Sequence, residues 1–226
     1  MTTAPRSDPP TLVEDLLLLL FQPRSGTIAG ENTLFYVLGG AVLADLALGG
    51  HLSTEAQGRI RSVADRPPSD DLLRPGWDYL CAKPRGAQTA LAAIGPPLRE
   101  PVLDRLIARG HIDQEPHRVL GLFRTTALRE GRTGRRARLL ADVRQALSEG
   151  TPPPARVAAL AALLSASGTL PQFHREIPWT SSVITRAKEL ERGDWGADAA
   201  AQAVTRTVTA TVVNSAVAVV AVLPRS

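Results

Sequence analysis

Twice in this chain an apolar helix end runs into glycine and then, through a histidine, into an extended segment. The fuller copy is Leu106–Thr126, LIARGHIDQEPHRVLGLFRTT, and the earlier one is Leu46–Ser53, LALGGHLS. A glycine at a helix end takes the left-handed conformation without a side-chain clash, so it both stops the helix and sets the direction in which the chain leaves. In the fuller copy the pattern predicts a hairpin over Ile112–Thr126. Asp113–Arg118, containing Pro116, makes its polar tip, and Val119, Leu120, Leu122 and Phe123 make its return strand. A projecting hairpin is a device for touching another molecule. His51 and His111 occupy equivalent places in the two copies, which points to a structural origin for both.

The rest of the chain reads as helix. Thr11–Phe21, TLVEDLLLLLF, opens on an N-cap threonine with Glu14 at capping-box spacing and is then apolar on nearly every side, which places it inside. Glu31–Leu48 carries Leu34, Val37, Leu38, Val42 and Leu46 at helical spacing. Pro67, Pro68 and Pro75 mark a loop before a Leu72–Ala93 region, with Asp70 as a helix cap, and Pro96–Pro97 opens a helix over Leu98–Ala108. Further helices are expected over Arg135–Leu147, Ala155–Ala166 and Ser181–Arg192. The tail Val208–Leu223 is apolar but interrupted by threonines and Asn214, and a bilayer span takes about 20 predominantly apolar residues. It is expected to be a buried helix or strand. The fold class is therefore mainly α: a flexible segment over residues 1–10, then a single globular helical domain with β-hairpin insertions over residues 11–226.

Composition narrows the chemistry. One cysteine, Cys81, excludes an intramolecular disulfide and any multi-cysteine metal site, and it is expected to be buried beside Tyr79 and Leu80. The four histidines are scattered without HExxH spacing, and Ser165 and Ser167 lack the GxSxG turn that exposes a nucleophile. Neither catalysis, nor a metal, nor a cofactor is indicated. Met1–Pro10 is polar and proline-rich rather than a signal-type leader, so a cytoplasmic location is the default. The net charge is +4, and all but Lys83 and Lys188 of the 26 basic residues are arginine, as in proteins of GC-rich bacterial genomes. Arginine stays charged and can bind phosphate bidentately. Arg124, Arg129, Arg132, Arg135, Arg136 and Arg138 crowd one stretch opposed only by Glu130. Such a cluster suits either a solvated helical face or an anionic surface. Trp77, Trp179 and Trp195 suit loop or core anchoring, or a lipid boundary.

LVEDLLLLLF, LGGAVLADLALGGHLS, LREPVLDRLIARGHIDQEPHRVLGLFRTT, VAALAALLSASGTL and the valine-rich ending follow one another in the order of the Golgi phosphoprotein 3 family. The chain resembles that family, as a bacterial-type member, over roughly residues 11–223. The resemblance implies one mainly helical, non-catalytic domain that binds phosphoinositide headgroups at a membrane surface and self-associates through its hairpin. It implies peripheral attachment to the inner face of the membrane. The family's headgroup pocket, carried over by position, falls on Gly30, Gly39, Pro96 and Arg99, of which only Arg99 keeps a pocket residue type. The candidate lipid-headgroup residues are thus Arg99 for a local contact and Arg132, Arg135 and Arg136 for a diffuse one. Val119, Leu120, Leu122 and Phe123 are the candidates for homo-oligomer contact. The partners implied are anionic phospholipid or phosphoinositide headgroups. Two other readings stand beside this one: a winged-helix DNA-binding protein, with Leu98–Ala108 as recognition helix, and an oligomeric scaffold that binds no lipid.

Overall fold

Helix α1 (Leu12–Leu20) is buried along its whole length, Glu14 and Asp15 included. The Thr11 hydroxyl accepts from the Glu14 N–H, and the Glu14 carboxylate accepts from the Thr11 N–H at 2.8 Å, so the expected capping box is formed. These features come from a computed structural model, which describes residues 9–119, 123–148, 151–193 and 199–222. Among them are nine helices and three two-stranded antiparallel hairpins, a mainly α single domain. After α1 come β1 (Phe21–Gln22), β2 (Thr27–Ile28), α2 (Leu34–Leu48), β3 (Leu52–Thr54) and β4 (Ile60–Ser62). Then follow α3 (Arg74–Ala82), α4 (Ala87–Ile94), α5 (Arg99–Ala108), β5 (Ile112–Val119), β6 (Phe123–Glu130), α6 (Arg135–Ser148), α7 (Ala155–Ala166), α8 (Ser181–Glu191) and α9 (Ala199–Val222).

Helix α2 is the hub, packed by α1, α4, α7 and α9. Its central Gly39–Gly40 pair lets those neighbours approach. A Cβ on Gly40 would stand 3.0 Å from Val212 and 3.1 Å from Leu163. A mid-helix glycine costs about 1 kcal/mol relative to alanine, and the close packing of α7 and α9 offsets it.

The repeated unit is present at both places. His51 N–H reaches Leu46 O at 2.8 Å and Gly50 N–H reaches Ala47 O at 3.0 Å. His111 N–H reaches Leu106 O at 2.9 Å and Gly110 N–H reaches Ile107 O at 2.9 Å. Both are Schellman ends, with Gly50 at φ 71° and Gly110 at φ 68°. The imidazoles then tether the returning chain: His51 Nδ1 donates to Arg66 O at 2.7 Å, and His111 Nδ1 lies 2.8 Å from Thr133 Oγ1.

The large hairpin corrects the expected position of its turn. Asp113–Arg118 is not a tip but part of β5, and the register runs from Ile112 opposite Glu130 to Val119 opposite Phe123. Pro116, opposite Thr126, is tolerated because each strand of a two-stranded ribbon has an open edge where no N–H is required. Among its described side chains the ribbon is buried at its base. Ile112 is fully buried and Leu128 partly so, while Asp113–Pro116 are exposed.

The tail is helix rather than strand. Val204, Val208 and Val212 recur every four residues and are fully buried. The threonines that raised the strand reading return their hydroxyls to the preceding turn, Thr205 to Ala201 O at 2.7 Å and Thr211 to Thr207 O at 2.8 Å. Among the described residues no helix is long and apolar enough to cross a membrane. Cys81 is exposed, against expectation, because α3 turns Trp77 and Leu80 inward instead.

Candidate functional site

The arginines singled out by sequence fall into two groups. Arg99, in the first turn of α5, is exposed and pairs across to Glu31 in the loop before α2, Nη2 to Oε1 at 3.0 Å with side chains 44% and 50% exposed. Arg132 is also exposed, on the short link between β6 and α6. Arg135 and Arg136 are committed inward. Arg135 Nε donates to Asp15 Oδ1 at 2.7 Å, and Arg136 Nε donates to Phe21 O at 3.1 Å. Burial lowers the Arg136 pKa from its ordinary value, opposed by Glu130 and Glu176. Arg138, beside them, is exposed and donates to Thr133 O at 3.2 Å. Arg24 is exposed in the β1–β2 turn. Gly26 of that turn lies against Leu128 at the ribbon's base. Thus α6's first turn, the β1–β2 turn and the base of β5–β6 meet, and these segments carry the exposed Arg24, Arg132 and Arg138. Leu120 and Leu122 lie outside the described residues, as do the side chains of Val119 and Phe123.

Sequence reasoning missed a buried charge network behind this face. Its only linear signal was Glu14–Asp15 inside an otherwise apolar helix. Asp15, 2% exposed, is held by Arg135 and by Arg156 at 3.0 Å, and Arg156 also reaches Asp45 at 2.9 Å and Pro10 O at 2.6 Å. Asp45 in turn accepts from the Leu12 N–H at 2.6 Å. Arg109 Nε approaches Glu14 Oε1 to 2.9 Å, off the direction of a good hydrogen bond, so that oxygen is held by charge. Arg105 pairs with Asp70 at 2.6 Å. Burial pushes the Asp15 and Asp45 pKa values above the ordinary carboxylate range, against the pull of their arginines. His111 is pushed down, first by burial and then by Arg135 and Arg109. The network therefore ties α1 and α2 to α5, α6 and α7.

Two of the positions where the family pocket would fall, Gly39 and Gly30, are crowded by neighbouring atoms. A Cβ on Gly39 would lie 3.3 Å from Gly95 Cα, and one on Gly95 would lie 2.0 Å from Phe35 O. Helices α2 and α4 meet there at Gly39 and Gly95, with Leu91 beside them. Gly30, at φ 71°, abuts Thr169 Cγ2 at 2.9 Å. No long side chain can occupy position 30 or 39 without moving its surroundings, so of the four carried-over positions Arg99 alone presents a cation.

Helix α5 presents little to nucleic acid. Arg105 and Arg109 face Asp70 and Glu14, while Glu100 and Asp104 are exposed and would repel phosphate. Among the described residues no three His, Cys, Asp or Glu side chains gather to hold a metal ion. No curated protein matches the chain. A family model described as Golgi phosphoprotein 3 (GPP34) matches residues 12–207. That span runs from the first residue of α1 well into α9 and takes in the central α2, both Schellman-ended units and the projecting ribbon, so the chain belongs to the Golgi phosphoprotein 3 family.

Proposed function

We propose that this protein is a non-catalytic, peripheral membrane protein that holds anionic lipid headgroups on the arginine face at the foot of its ribbon and self-associates through that ribbon. It works on the cytoplasmic side of the membrane. Family membership supports a phosphoinositide-type ligand, and the observation that carries the broader reading is that Arg24, Arg132 and Arg138 are exposed on the segments that meet at the base of the hairpin. Each cation near an anionic bilayer contributes on the order of 1 kcal/mol. Three or four acting together hold a protein reversibly, and Arg135 and Arg136 add charge beneath them while keeping their structural bonds. Glycine packing at Gly39 and Gly95 favours recognition of negative surface over one selected headgroup. The exposed Asp113–Pro116 and the open edges of a two-stranded ribbon support pairing with a second copy. Linking copies multiplies weak lipid contacts without strengthening any one of them.

Flotation with phosphatidylcholine vesicles, with and without phosphatidylglycerol or phosphoinositide, tests the lipid half. Binding is expected only to anionic vesicles and is expected to weaken with salt, since surface charges are screened beyond about 8 Å at physiological ionic strength. Binding to neutral vesicles, or indifference to salt, refutes it. Sedimentation of the intact protein against a folded variant with residues 113–125 replaced by a glycine-serine loop tests the ribbon. An intact protein that is monomeric at micromolar concentration, or an oligomer unchanged by the replacement, refutes that half.

A further inference from the structure

We propose that Trp179, backed by Ile184, is an interfacial anchor that enters the headgroup–acyl boundary of an anionic bilayer when the arginine face docks; this rests on the lipid reading above. Among the described residues these are the large apolar side chains left exposed, at 43% and 37%. Thr180 caps α8, its hydroxyl accepting from the Val183 N–H at 3.3 Å. Trp179 and Ile184 therefore stand at the two positions of a hydrophobic staple, which brings them together at the helix start. A staple explains why they are adjacent, but it leaves nearly half of the indole in water.

The turn that presents Trp179 is fixed. Ile177 is buried, its N–H donates to Phe173 O at 2.7 Å, and the Thr180 N–H donates to Pro178 O at 3.0 Å. An indole held on such a turn enters a bilayer without first being ordered. Its place on the molecule supplies the charge complementarity. Helix α8 packs on α6, and Glu176 lies within electrostatic reach of Arg136, whose guanidinium bonds to the strand at the ribbon's foot. Three residues of chain span at most about 11 Å, so the Trp179 backbone lies within that reach of Glu176. Exposed His174 and Arg175 precede it. Glu176 and Glu130 are the acids nearby, and Arg136 faces both. A tryptophan with cations beside it fits the membrane interface, where an apolar ring body and a polar N–H are both satisfied.

The probe is the full-length protein with phosphatidylcholine–phosphatidylglycerol vesicles, some carrying brominated acyl chains that quench nearby indoles. Wild-type emission is expected to shift to the blue and to be quenched. In a Trp195→Phe background, Trp179→Phe is expected to lose the quenched component, since the one tryptophan left, Trp77, is buried in the core. Trp179→Ala is expected to lower vesicle affinity about ten-fold, with the remaining binding still salt-sensitive. Ile184→Ser, read by the quenching of Trp179 itself, provides a second variant and is expected to reduce the quenching. Salt-sensitive binding in which Trp179→Phe in the Trp195→Phe background is quenched as fully as the Trp195→Phe protein overturns the anchor and leaves the lipid reading standing. Absence of binding to the anionic vesicles overturns both.

Discussion

Replacing Arg156 with methionine keeps an apolar stem of similar length and removes the guanidinium that spans Asp15, Asp45 and Pro10 O at 3.0, 2.9 and 2.6 Å. Deleting one partner of a fully buried ion pair costs about 3–5 kcal/mol. Two features reduce that here. Arg156 is 40% exposed, so water already screens part of its field. Asp15 also keeps Arg135 at 2.7 Å. A loss of about 2 kcal/mol remains, which for a domain of this size lowers Tm by about 4–8 °C. The pH dependence gives the reasoning its sharper test. A carboxylate whose folded pKa is raised by burial contributes its cost at neutral pH. The cost disappears as pH falls from the raised folded value towards the unfolded value near 3.8, because the protonated group needs no counter-ion. Without Arg156 the upward push on Asp15 and Asp45 is less opposed, so the deficit relative to wild type should be larger at pH 7.5 than at pH 5. Urea unfolding followed by circular dichroism at both pH values measures it. A deficit that is the same at the two pH values, or larger at pH 5, refutes the claim that uncompensated buried carboxylates cause the loss.

Gly95→Ala puts a Cβ 2.0 Å from Phe35 O, and the α2–α4 crossing must open; a loss of about 3 kcal/mol is expected from overpacking of backbone against backbone, read by denaturant unfolding, and an unchanged midpoint contradicts it. Val208→Asp in the fully buried stripe of α9 should prevent folding or leave an expanded state, since an unpaired carboxylate in an apolar core is among the most costly substitutions; near-native melting of the purified variant contradicts the buried placement. Arg99→Ala should change any ranking among anionic headgroups while leaving stability within about 0.5 kcal/mol, because its bond to Glu31 is an exposed pair. Arg132→Gln with Arg138→Gln should instead weaken vesicle binding uniformly across anionic lipids, and a liposome panel with both variants separates the two behaviours.

Local rules were legible along the chain. The capping box at Thr11–Glu14, the glycine stops at Gly50 and Gly110, the burial of LVEDLLLLLF and the helices over residues 135–148 and 155–166 follow from short-range sterics, hydrogen bonding and hydrophobic period, all of which act within a few residues. The ordered set of these blocks was enough to identify the family. The turn of the long ribbon was not legible. Proline and charge in Asp113–Arg118 imitate a tip, whereas an isolated two-stranded ribbon tolerates both at its open edges. Nor could the tail be settled, since valine and threonine favour strand locally and only packing against α2 and α7 selects helix.

The candidate site divides in the same way. Sequence showed a crowd of arginines but not their individual roles, because role depends on what lies opposite in space. Arg135 meets Asp15, which is 120 residues away in the chain, and becomes part of the core's electrostatics. Arg132 meets nothing comparable and remains on the surface. Likewise, Gly39 could be read in sequence only as a missing pocket residue. The fold shows why it is glycine, since a Cβ there would press to 3.3 Å on the backbone of Gly95. The sequence by itself determined where helices begin and stop and which faces are apolar. Tertiary structure decided which charges are compensated and which are left for a partner, because Coulomb interaction and steric exclusion follow distance in space rather than distance along the chain.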